Sequence, residues 1–158
     1  MTEYVVRFSV RQRFEHLTVM VLFILLAVTG FPQKFYEAGW AGAVVDALGG
    51  VPRTRWVHRA AGVLFVALTA WHLLGAVLAS ATRRVPLSMV PTRRDFKDVV
   101  TSLRYYLRLS ERQPRFDRFD YREKFEYWGL IIGALVMSAT GLLLLFPILV
   151  ASYLPGEL

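Results

Sequence analysis

Apolar residues in this chain come in three long blocks, at about residues 14–31, 56–79 and 127–151, separated by stretches rich in charge. Each block approaches or exceeds the roughly 20 residues that a helix needs to cross a bilayer. A helix on a soluble core carries a one-sided apolar stripe, whereas these blocks are apolar all round. The pattern predicts an all-α membrane bundle with three transmembrane helices, forming a single domain over residues 1–158. Between the first two blocks, WAGAVVDALGGVP predicts one short surface helix, stopped by Gly49, Gly50 and Pro52. After the second block, Phe96, Val99, Val100, Leu103 and Leu107 recur at helical spacing, while Arg93, Arg94, Lys97, Arg104 and Arg108 fall mostly elsewhere. That is an amphipathic helix lying in the headgroup region; a docking face or a cap over a quinone pocket is the sharper alternative. The run ERQPRFDRFDYREKFEYW then reads as a loop climbing back into the bilayer. In the third block, Gly129, Gly133 and Gly141 are small residues of the kind that let membrane helices approach closely, and Pro147 marks where regular helix fails.

Charge orients these elements. The net charge is +7, and twelve of the nineteen Lys and Arg residues lie in the segment 82–124. Arg7, Arg11 and Arg13 precede the first block, whereas the segment 32–55 holds only Lys34, Arg53 and Arg55. The positive-inside rule therefore places the N-terminus and the basic segment in the cytoplasm. The basic balance reports orientation against lipid, and nucleic acid is not an expected partner. The first block is long and TGFPQKF behind it offers no small-residue cleavage site, so it reads as a retained span.

Cysteine is absent, which removes disulfides, thiolate clusters and covalent haem attachment together. Three histidines remain, and all lie in or at the edge of spans. His58 and His72 are fourteen residues apart on one helix, nearly the same face, and about 21 Å apart along its axis. Counted from the outer ends of two antiparallel spans, near Phe31 and Trp56, His16 and His72 are level and can bracket one haem. His72, deep in an apolar block, needs a polar or metal partner. For His16 and His58 taken singly, an interfacial imidazole bonded to water or backbone is the plainer reading. Gly62 and Gly75, one turn from His58 and His72, leave gaps of the kind a macrocycle needs. Three histidines at two depths without a carboxylate or cysteine set do not make a zinc site. Arg11, Arg13 and Glu15 are candidates to meet haem propionates or a quinone head group, with surface snorkelling as the alternative.

The runs RFSVRQRFEHLTVMVLFILLAVTGFPQKF, HRAAGVLFVALTAWHL and LRYYLRLSERQPRFDRFDYREKFEYWG resemble the membrane cytochrome b subunits of formate dehydrogenase, thiosulfate reductase and membrane-bound hydrogenase over essentially the whole chain. The resemblance implies a haem b subunit of the bacterial or archaeal cytoplasmic membrane. Such a subunit passes electrons between a partner redox subunit, an iron–sulfur or multihaem protein, and the quinone pool, and it anchors the complex. It implies His16 as first-helix ligand of an inner haem and His58 as second-helix ligand of an outer one; His72 matches a histidine found in some relatives. The family's fourth helix, which brings the opposing histidines, has no counterpart before Leu158. The expectation is that another chain supplies it, with a shortened chain or a single haem between His16 and His72 as alternatives. A haem-free membrane anchor is the rival function.

Overall fold

The computed structural model describes residues 9–82, 88–111, 113–116 and 118–153. Among these there are six helices and no strand: α1 (Val10–Lys34), α2 (Gly39–Ala47), α3 (Val51–Ala81), α4 (Arg93–Tyr106), α5 (Tyr121–Leu145) and α6 (Pro147–Tyr153). The first two apolar blocks fall on α1 and α3, and the third covers most of α5 and runs past the break at Phe146 into α6; α1, α3 and α5 are each long and apolar enough to cross a membrane. Only 22%, 17% and 11% of their most apolar windows is buried within the protein, which leaves their outer faces for lipid.

Local chemistry sets the ends. Ser9 and Gln12 close a reciprocal capping box at the start of α1, and Asp120 and Glu123 do the same for α5. The short surface helix is present as α2, and Gly49 and Gly50 follow it with φ of 91° and 88°, values that residues with a Cβ rarely adopt. Pro52 does not stop it. It sits in the first turn of α3, where its missing N–H costs nothing. The stretch from Tyr121 to Glu126 is the first turn and a half of α5 rather than loop, because the Asp120–Glu123 box starts the helix before the apolar block begins. The break at Phe146 before Pro147 is where expected. In α4 the helix stops at Tyr106, so Leu107 and Arg108 lie past its end, Arg108 in the left-handed region with φ 57°.

The chain divides into two compact units, Met1–Leu74 with Ala134–Leu158, and Gly75–Gly133. In the first, α1 and α3 run antiparallel around a small core of Leu22, Ala61, Phe65 and Ala134, with Val19, Leu25, Leu26 and Leu68 packed on it. In the second, the buried Lys124 ammonium of α5 meets both oxygens of Asp95 on α4, at 2.7 and 2.9 Å. Asp95 also accepts from the Thr92 amide and hydroxyl that cap α4. The Trp128 indole donates to the Met89 carbonyl at 2.9 Å. The apolar side chains Phe96, Val100, Leu103 and Leu107 are exposed.

Candidate functional site

Both α3 histidines turn toward α1, at matched steps of one antiparallel register. Fourteen residues separate His58 from His72, and fourteen separate the α1 residues they touch, Thr29 and Glu15. Thr29 Oγ1 lies 2.8 Å from His58 Nδ1, and Glu15 Oε2 lies 3.0 Å from His72 Nδ1. The Glu15 carboxylate is buried and accepts from Arg11 Nε at 2.6 Å on its other oxygen. The Arg11 guanidinium also lies 5.4 Å from the Trp71 ring centre. A carboxylate inside a span needs such partners. Glu15 has two, about five residues from the helix start, where a snorkelling arginine still reaches the interface.

The level counted for His16 and His72 is right to within one residue, but Glu15 rather than His16 faces His72. Successive residues on a helix point about 100° apart, so His16 is turned off the α1–α3 contact and is exposed. Its face is informative: Phe23, Ala27, Gly30 and Lys34 follow His16 at near-helical spacing, and all four line one cleft of this unit. His16 thus lies on the same α1 face further toward the N-terminal end. Arg13 is exposed as well.

That cleft has a volume of about 540 Å³ and is walled mainly by apolar side chains of α1, α3 and α5. His58 lies on its wall with Gly62, Phe65 and Val66 on the same helix. Gly30 lets α1 approach: a Cβ there would stand 2.9 Å from His58 Cε1. The end of the cleft formed by the last turn of α1 and the first turns of α3 carries Gln33, Lys34, Arg55 and Arg59. From α5 come Met137, Ser138 and Gly141. Ser138 Oγ is buried and has no hydrogen-bond partner among the described residues, whereas the nearby Thr140 hydroxyl donates to its own helix at 2.8 Å. The glycines expected to bring helices together do not: a Cβ at Gly129, Gly133 or Gly141 would meet nothing within 4 Å. Among the described residues no cluster of three or more His, Cys, Asp or Glu is fit to hold a bare metal ion.

The cleft, its single imidazole and its basic mouth suit a flat anionic macrocycle better than a bare ion. The model of one family, prokaryotic cytochrome b561, matches residues 7–156. The chain belongs to that family. Comparison with curated proteins and with solved structures gives no match. Cytochrome b561 membership together with the three long apolar helices makes it a multi-pass membrane protein that binds haem b and transfers electrons.

The residues present fit that group. The wall is mainly apolar, His58 would supply a nitrogen ligand, and Lys34, Arg55 and Arg59 would meet carboxylates at the mouth. The orphaned Ser138 hydroxyl would supply one more polar contact inside. Thr29, Gly30, Ser138 and this basic mouth are what sequence reasoning missed. A signal for the first two was available. Depth counted from Phe31 and Trp56 puts His58 level with Thr29, and the glycine that makes room for the ring, Gly30, lies on that neighbouring helix and not on the histidine's own.

Proposed function

We propose that this cytochrome b561-family chain is the haem b electron-transfer subunit of a quinone-linked respiratory oxidoreductase, and that it anchors that complex in the cytoplasmic membrane. The observation that carries the reading is His58, held at Nδ1 by the buried Thr29 on the wall of a roughly 540 Å³ apolar cleft. Bound there, haem supplies a one-electron carrier with a potential set by its ligands and surroundings. The chain's part is to hold Nε2 of His58 toward the cleft, to exclude water with Phe23, Phe65 and Val66, and to meet the haem carboxylates with Lys34, Arg55 and Arg59.

His16 extends the same α1 face, fourteen residues from Gly30, which is about 21 Å along the axis. Ligands at two levels along one side of α1 suit transfer across the membrane, from a partner redox subunit on the outer side to quinone near the inner side. The positive-inside bias of the segment 82–124 supports that orientation. His72 is engaged by Glu15, so of the three histidines it is the one whose removal tests a direct ligand role against a role in holding α1 to α3. Arg11 is joined to Glu15 and Glu15 to His72, which supports a quinone head group meeting them near the His16 level.

The test is a reduced-minus-oxidised visible spectrum with haem quantified per chain, for the wild-type assembly and for His16→Ala, His58→Ala and His72→Ala. Two haems in the wild type, one lost with His16→Ala and the other with His58→Ala, are expected. A colourless wild-type assembly leaves a haem-free anchor. One haem lost only with His72→Ala points instead to a single centre at the inner level.

A further inference from the structure

Thr29 is one of four buried polar or charged residues on α1 and α3, with Glu15, Thr54 and Thr69; it is fully buried at 0% exposure, and its hydroxyl has three neighbours, the weakest being the Leu26 carbonyl at 3.4 Å. Oγ1 lies 2.6 Å from the Leu25 carbonyl of its own helix and 2.8 Å from His58 Nδ1. We propose that Thr29 is a positioning residue that fixes the tautomer and ring angle of His58, and through them the potential of the haem iron held there. This rests on His58 being an axial ligand and adds to that reading a residue that touches no cofactor.

The proton count decides the tautomer. A hydroxyl has one proton to give, and a carbonyl has none. The shorter contact is to Leu25, so the Thr29 proton is committed there and an oxygen lone pair faces the imidazole. Nδ1 must therefore carry the ring proton, and Nε2 keeps the lone pair that binds a metal. The hydroxyl is not a free rotor. Threonine is branched at Cβ and bonds back to the preceding turn in helices. On the other side the ring lies against bare Gly30, where a Cβ would come within 2.9 Å of Cε1. The ring is thus held by the Thr29 hydroxyl at Nδ1, with the Leu26 backbone also in hydrogen-bonding reach, and by the bare Gly30 against Cε1.

The partner's charge carries the second half. A metal-bound imidazole that donates its other N–H becomes a more basic ligand, and more so when the acceptor is charged. The same chain shows both cases, a neutral hydroxyl at His58 and a carboxylate at His72. A neutral acceptor stabilises the ferric state moderately; removing it altogether leaves a weaker donor and raises the potential.

Thr29→Val keeps the shape and deletes the acceptor, whereas Thr29→Ser keeps it. Redox titrations of the full chain in nanodiscs, with haem counted per chain, are compared for both and for His58→Ala. We expect one midpoint of Thr29→Val to rise by about 59 mV, a tenfold change in ferric-over-ferrous preference for one electron. Haem loss to an acceptor protein should quicken roughly 10- to 100-fold. The other midpoint stays put, Thr29→Ser matches wild type, and His58→Ala lacks the centre that moved. A midpoint and a loss rate unchanged in Thr29→Val, with His58→Ala still losing a haem, overturn the role of Thr29 alone. Both haems retained in His58→Ala overturn the ligand reading itself. Where Thr29→Val fails to assemble, nitrogen-15 histidine NMR of the wild-type chain purified without haem decides: the ring proton on Nδ1 supports the proposal, and on Nε2 defeats it.

Discussion

Gly30→Ala is the sharpest probe of the cleft, because the geometry gives its effect directly. The added methyl would sit 2.9 Å from His58 Cε1, while carbon atoms rest comfortably at roughly 3.5–4.0 Å. The ring must retreat by about 0.6–1 Å, and it retreats from a 2.8 Å contact with Thr29. Without haem that costs at most one hydrogen bond, about 0.5–1.5 kcal/mol. With haem, the displaced ring is the ligand. Loss of an outer contact to a metal ligand typically weakens binding 10- to 100-fold, which is about 1.4–2.8 kcal/mol. Two controls share the cleft. A Cβ at Gly62 would meet Leu26 at 4.0 Å, and one at Gly141 would meet nothing within 4 Å, so neither alanine disturbs the haem-free chain. The assay is haem affinity by titration of the haem-free chain, beside its thermal unfolding. The prediction is a haem-free chain within about 1.5 kcal/mol of wild type and a haem affinity reduced by one to two orders of magnitude. Wild-type affinity in Gly30→Ala, with an unaltered spectrum, would refute the placement of His58 against α1.

Three further outcomes concern the rest of the chain. Lys124→Met strands the buried Asp95 and is expected to cost roughly 3–5 kcal/mol in the α4–α5 clasp, whereas adding Asp95→Asn recovers most of it; hydrogen exchange of α4 amides reads both. Burial pushes the Asp95 carboxyl up, but the Lys124 ammonium and the Thr92 donors outweigh it and hold the group below the ordinary carboxylate range. A lowered folded value means that its stabilisation is present above the unfolded value and is lost as pH falls through the folded one. Protection of α4, corrected for intrinsic exchange, should therefore stay level from neutrality down to about pH 5 and fall only in stronger acid; protection lost already near neutrality would contradict the pairing. Finally, the cysteine-free chain accepts single reporters. Arg108→Cys should react with an impermeant thiol reagent only from the cytoplasmic side and Gly42→Cys only from the other, and the reverse result would invert the topology.

Most of the fold was legible in the sequence because membrane helices announce themselves by composition. The three long helices, the short α2 and the helical break before Pro147 follow from apolar run length and from glycine and proline chemistry. Helix ends were harder. α5 begins at Tyr121 because of an Asp120–Glu123 capping box, a local signal hidden in a stretch whose alternation of charge and aromatic reads as loop. The site was half legible. His58 and His72 stood out as costly groups in apolar surroundings, and counting depth placed His16 beside His72 to within one residue. What the count cannot supply is rotation. One position along a helix changes the facing side chain, and that gives the contact to Glu15. Nor can it show that Thr29, unremarkable in an apolar run, is the buried partner of an imidazole twenty-nine positions away.

The clamp on His58 also bears on how fast a centre built there would exchange electrons. Every transfer must wait for the ligands and their surroundings to adjust to the new charge, and whatever moves adds to the barrier. A ring pinned by a hydroxyl with no rotational freedom on one side, and by backbone with no side chain to yield on the other, has little room to readjust. Its dipoles are already oriented before the electron arrives. Such a site is poorly suited to swinging aside for an incoming gas or substrate, and well suited to accepting and releasing charge with small nuclear rearrangement.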